Sequence, residues 1–140
     1  MNFLIQDDFD KLIRQDVLDR VTQNDAGILY DAELAAIAEM QSYLAVRFDV
    51  ANIFNRTGTE RNALLVMYLT DMLLYHIHSR INPRQIPNLR AIRYEAAIKW
   101  LEMVAAGKLS PNLPGIASPD ESQTGTVSYT GPKKRDNFIY

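Results

Sequence analysis

Apolar residues recur along the first two-thirds of the chain at helical spacing. Phe9, Leu12, Ile13, Val17, Leu18 and Val21 follow one another at steps of one to four, which predicts one or two short helices between about Gln6 and Thr22. Asp7 and Asp8 stand at the start of that segment, where exposed amides and the helix dipole favour anions. Asn24 to Gly27 reads as a turn. A second helix is expected from Asp31, its cap, with Leu34, Ile37, Gln41, Leu44 and Phe48 along one stripe. Asp49 to Gly58 reads as a loop with Ile53 and Phe54 tucked inward.

The pattern changes from about Thr59 to Arg80. There Leu64, Leu65, Met67, Leu69, Met72, Leu73, Leu74 and Ile77 cover most of the circumference of a helix that Thr59 could cap. A helix apolar nearly all round belongs at the centre of a fold. Pro83 and Pro87 bracket a rigid connection, since proline lacks the amide proton that a helix interior uses. A last helix follows to about Ala106, with Ala91, Tyr94, Ile98, Leu101 and Ala105 on its stripe and Gly107 at its end. Tyr94 and Trp100 are expected in helix–helix contacts.

After Leu109 the helical pattern stops. Residues 110–131 are rich in Ser, Pro, Gly and Thr, the composition of an extended arm. The arm ends in Lys133, Lys134 and Arg135, followed after Asp136 and Asn137 by Phe138, Ile139 and Tyr140. Cations beside large apolar side chains suit an anchor on an acidic protein groove better than on DNA backbone, which needs no apolar partner. The expected fold class is therefore all-α: a compact bundle of four to five helices over 1–109, with an extended C-terminal arm over 110–140.

Composition narrows the function. With 47% hydrophobic and 23% charged residues, the chain can bury a core. A net charge of -2 argues against wrapping nucleic acid. No cysteine is present, which excludes disulfides and thiolate chemistry. The longest apolar run, Ala63 to Leu69, is far below the roughly 20 residues that span a bilayer. The N-terminus lacks the basic start and apolar run of a signal peptide, so a soluble chain is expected.

Candidate chemistry is sparse. His76 and His78 lie two apart, so on a helix they point about 200° away from each other and do not share a metal. Thr22 to Glu33 echoes a calcium loop, with Gly27 sixth and Glu33 twelfth. Ala26 at the fifth place cannot ligate, and a plain helix connection is the better reading. Asp71 falls in the most apolar helix, where a carboxylate needs a partner; Arg93 on the next helix is the expected one, as a structural ion pair. No nucleophile motif, phosphate loop or dinucleotide fingerprint occurs. The expectation is no enzyme, no catalytic residue, no metal and no cofactor. Two competing readings remain: a small DNA-binding or regulatory protein with Arg80, Arg84, Arg90 and Arg93 as a basic patch, and a metal enzyme using His76, His78 and Asp71.

Three stretches in order carry a family resemblance. They are Asp31 to Phe48; Tyr68-Leu69-Thr70-Asp71-Met72-Leu73-Leu74-Tyr75 followed by Asn82-Pro83-Arg84; and Arg93-Tyr94-Glu95-Ala96-Ala97-Ile98-Lys99-Trp100-Leu101 closing with Ala106-Gly107-Lys108. Together, over about Gln6 to Leu109, they resemble a family of small helical proteins of Mu-like prophages, which in turn is similar to the head-tail connector, or adaptor, proteins of tailed phages. The chain departs from that pattern at Arg47-Phe48-Asp49-Val50, where similar proteins often carry Arg-Tyr and a proline. Its first turn is also poorer in Asp and Gly. The resemblance implies a structural subunit of a homo-oligomeric ring, dodecameric by analogy, bound to a portal protein on one side. A tail-side stopper or tail-completion protein would bind the other side. DNA would pass through the lumen without specific binding, and no membrane would be involved. The place implied is the virion's head-tail junction, after assembly in the host cytoplasm.

Overall fold

The computed structural model describes residues 3–116. Within them lie six helices: α1 (Gln6–Asp10), α2 (Gln15–Thr22), α3 (Ala26–Leu44), α4 (Val50–Phe54), α5 (Ala63–Ile81) and α6 (Asn88–Ala105), with a 3-10 turn at Gly58–Glu60. No strand occurs among the described residues, and the fold is all-α. The first segment forms two helices, one of the two outcomes its pattern allows, and the sixth helix is the short α4 inside the expected loop.

Local chemistry sets these boundaries. α2 ends with Gln23 and Asn24 both at positive φ, 56° and 57°. The chain there closes a Schellman arrangement, Asn24 N donating to Asp19 O at 2.9 Å. Asp25 then caps α3, its Oδ1 accepting from Gly27 N at 2.8 Å. The helix thus starts five residues before Asp31, which lies inside it. Asp49 caps α4 through Asn52 N. Asn62, not Thr59, caps α5, accepting from Leu65 N at 3.0 Å. At the end of α6, Gly107 takes φ +82° and Lys108 N reaches back to Met103 O.

α3, α5 and α6 pack mutually as a three-helix core, and α1 and α2 lie on it. α5 is the central element, as its all-round apolar pattern requires: Leu65, Leu69, Met72, Leu73, Leu74 and Ile77 are fully buried. Ala36, Met40 and Leu44 of α3 and Ala97, Leu101 and Val104 of α6 close around them. At roughly 1.5–3 kcal/mol for each large apolar side chain buried, α5 is the main source of stability.

Residues 110–116, the first part of the expected arm, lie against this body. Asp49 N donates to Pro114 O at 2.9 Å, Ile116 N to Arg47 O at 3.4 Å, and Asn62 Nδ2 to Asn112 O at 3.3 Å. Leu113 packs on the core, and Phe48 and Gly115 form an isolated antiparallel bridge. Arg47 holds the corner, its Nη1 donating to Val104 O at 2.8 Å and Leu109 O at 3.2 Å. No helix of the described residues is long and apolar enough to cross a membrane.

Candidate functional site

Four polar clusters and two apolar stripes without a partner among the described residues stand out against the core. The first cluster joins α5 and α6. Arg93 Nε donates to Asp71 Oδ1 at 2.7 Å, and Asp71 is only 2% exposed. That hydrogen bond, more than any other cause, raises the Arg93 pKa, because the carboxylate stabilises the cation. Arg90 stands beside the pair. Its Nη2 donates to Leu12 O at 2.9 Å, while its buried Nη1 meets no partner among the described residues. Burial lowers the Arg90 pKa, against the opposing pull of Asp71, and the Arg93 charge adds to the lowering. Two arginines of the proposed basic patch are thus engaged inside the fold, leaving Arg80 and Arg84 as its exposed members.

The second cluster is an ion pair that periodicity could not reveal. Arg61 Nη1 lies 2.7 Å from Asp8 Oδ2, with the two side chains 8% and 4% exposed, and also donates to Phe3 O at 2.8 Å. Asp8 accepts from Ile5 N as well, so it serves as both anchor and N-terminal box of α1. Asp8 is therefore buried and paired, whereas Asp7 and Asp10 are exposed as a solvated helix start should be. The third cluster is the buried Glu33, whose Oε2 accepts from Phe3 N at 2.9 Å and Leu4 N at 2.8 Å. Glu33 thus tethers the N-terminal segment. Gly27 sits in the first turn of α3, so residues 22–33 form no calcium loop.

The fourth cluster spans α3, α5 and α6. Glu39 receives His76 Nε2 on Oε1 at 2.9 Å and Tyr94 Oη on Oε2 at 2.6 Å. Tyr75 stacks on Tyr94 with ring centroids 4.1 Å apart. Burial, then the bond to Glu39 and its charge, pushes the Tyr94 phenol well above its ordinary value. His78 turns away, Nδ1 donating to Leu74 O at 2.8 Å within its own helix. The two histidines thus serve separate structural contacts. Among the described residues no group of three or more His, Cys, Asp or Glu could hold a metal.

Beside the fourth cluster runs an open groove of about 340 Å³ between α3 and α6, lined by Glu39, Tyr43, Tyr94, Glu95, Ile98, Lys99 and Glu102. A larger groove of about 650 Å³ lies between α1 and α5. Its Asp7 and Asp8 are answered by Lys11 and Arg61.

The apolar stripes are on the outer faces of two different helices. On α3, Tyr30, Leu34 and Ala38 are exposed, Leu34 to 47%. On α6, Leu89, Ile92 and Ala96 are exposed, Ile92 to 53%. The first set steps by four and four and the second by three and four, so each is a continuous strip on one helix face. The stripe expected to face the core is buried at Leu44 and Phe48, but Leu34 turns outward, and Ala36 and Met40 are buried instead. The expected anchor residues Lys133, Lys134, Arg135, Phe138, Ile139 and Tyr140 lie outside the described residues.

Comparison with known proteins places the chain beside one family. A family model described as Bacteriophage Mu, Gp36 covers residues 3–129, nearly the whole chain. No curated protein and no solved structure matches it.

Proposed function

The chain belongs to the bacteriophage Mu Gp36 family, and from that premise we propose that it is a non-enzymatic structural subunit of the phage particle that joins head to tail as one member of a connector ring. The observation that carries this reading is the pair of apolar strips without a partner among the described residues, Tyr30-Leu34-Ala38 on α3 and Leu89-Ile92-Ala96 on α6. A monomer gains nothing by exposing two such strips. A ring needs this arrangement, because head-to-tail packing joins two different patches of the same subunit and closes if the rotation allows. A dimer about a two-fold axis would need only one.

The polar clusters fit a mechanical role. Asp71–Arg93, Asp8–Arg61 and Glu33 tie helices and the N-terminal segment together, and each is occupied by the partners it holds. The subunit is therefore a rigid block, with Lys133–Tyr140 as the anchor through which it engages a neighbour or a portal protein. A tail-side stopper or tail-completion protein would dock on the opposite rim. The net charge of -2 suits a lumen that lets DNA slide, since strong phosphate neutralisation would hold it. The place of action is the head-tail junction of the virion.

The test is the native mass of the purified chain, alone and with the portal protein of the same phage. The expected result is a closed ring whose stoichiometry matches the portal. Leu34→Glu and Ile92→Glu, each on an exposed position, should each reduce ring formation at least tenfold while leaving the helical circular-dichroism signal unchanged. A monomer that stays monomeric with the portal present would refute the reading.

A further inference from the structure

We infer that the groove between α3 and α6 is the seat for the C-terminal segment Lys133–Tyr140 of a neighbouring copy, an inference that rests on the ring reading and names the contact that links its subunits. The argument begins with charge. Glu39, Glu95 and Glu102 border the groove against the single cation Lys99. Glu39 is already engaged by His76 and Tyr94, but Glu95 and Glu102 are exposed on the rim. The segment supplies Lys133, Lys134 and Arg135, opposite in sign. The larger groove between α1 and α5 offers no such complement, because its carboxylates already have cationic partners.

Shape and spacing agree. Glu95 and Glu102 are two turns apart on α6, about 10 Å along the helix axis. Three extended residues from Lys133 to Arg135 span about 7 Å, and Phe138 to Tyr140 follow some 10 Å further on. The floor offers Tyr43, Tyr94 and Ile98 to receive those rings and that aliphatic chain. Tyr94 is pinned by Glu39 and stacked on Tyr75, so it presents a fixed ring face rather than a mobile one.

Chain path permits a neighbour's groove. Ile116 is bonded to Arg47, four residues past Tyr43, so the described residues end close to the end of the chain's own groove. From there, 17 residues to Lys133 reach up to about 55–60 Å when extended. α3 itself is only about 28 Å long. The reach thus exceeds what the chain's own groove requires and suffices to pass to an adjacent subunit.

The experiment uses the full chain in two tagged forms. One carries Phe138→p-benzoylphenylalanine; the other is isotopically labelled and otherwise unchanged. They are mixed under assembly conditions, irradiated, and mapped by mass spectrometry alongside a native-mass measurement. The expected result is a cross-link from position 138 of one copy to residues 39–43 or 94–102 of the other. Glu95→Lys with Glu102→Lys in the acceptor should cut its yield at least tenfold. Lys133→Glu with Lys134→Glu in the donor should restore most of it, which loss of folding could not do. Assembly with cross-links elsewhere, or only within one chain, overturns the inference and leaves the ring reading standing. A chain that never assembles overturns both.

Discussion

Asp71 and Arg93 illustrate how a single buried charge organises its surroundings. The carboxylate sits in the most apolar helix and is tolerable only because a guanidinium meets it from α6. Arg93 remains about one-third open to solvent. Arg93→Gln should therefore cost roughly 2 kcal/mol, below the 3–5 kcal/mol typical when a fully buried pair is broken. Thermal unfolding of Asp71→Asn, Arg93→Gln and the double variant checks this: the double loss should fall well short of the sum. Asp8 and Arg61 are more deeply enclosed, so Arg61→Gln should cost about 3 kcal/mol or more. Tyr94 gives a pH signature. Its raised pKa favours the neutral phenol in the folded state, so its contribution to stability is complete below about pH 10, where an unfolded tyrosine begins to ionise, and is lost as pH rises beyond that. Ultraviolet titration should show a tyrosine component that resists ionisation, and Tyr94→Phe should remove it.

At the scale of the elements, much was legible and the misreadings have physical causes. α5 announced itself by apolar residues on all sides, and α6 by its stripe and by Gly107. α3 was placed late because its first turn holds Gly27, which reads as a turn residue, while the cap that overrides it is the neighbouring Asp25. α5 is capped by Asn62 rather than Thr59 for a similar reason: Gly58, Thr59 and Glu60 form a 3-10 turn, and the Asn62 side chain makes the actual cap. Asn62→Ala should cost about 1 kcal/mol, and somewhat more because Asn62 also holds Asn112 O. The Asp8–Arg61 pair bridges residues 53 apart in sequence, and Glu33 reaches back to amides about 30 residues earlier. No local pattern encodes such contacts; each is set by which helices the core brings together. Glu33→Ala should accordingly speed hydrogen exchange at the Phe3 and Leu4 amides far more than in α5, with unchanged exchange at Phe3 and Leu4 as the contrary outcome.

For the molecule as a whole, the sequence disclosed a helical block and a basic, aromatic tip, but not the surfaces on which the proposed assembly rests. Leu34 and Ile92 look like ordinary members of apolar stripes; only packing decides that α3 and α6 turn them outward. The groove bordered by Glu95 and Glu102 likewise exists only once α3 and α6 lie side by side. What unites these features is that one subunit carries two dissimilar apolar strips and an acidic groove opposite in charge to its own tip. Such a set is what the proposed ring would use. The most direct test is the native mass of the full-length chain with its portal. The account predicts a closed ring, weakened by Leu34→Glu and by Ile92→Glu alike. A stable monomer, or a two-fold dimer indifferent to one of those substitutions, would contradict it.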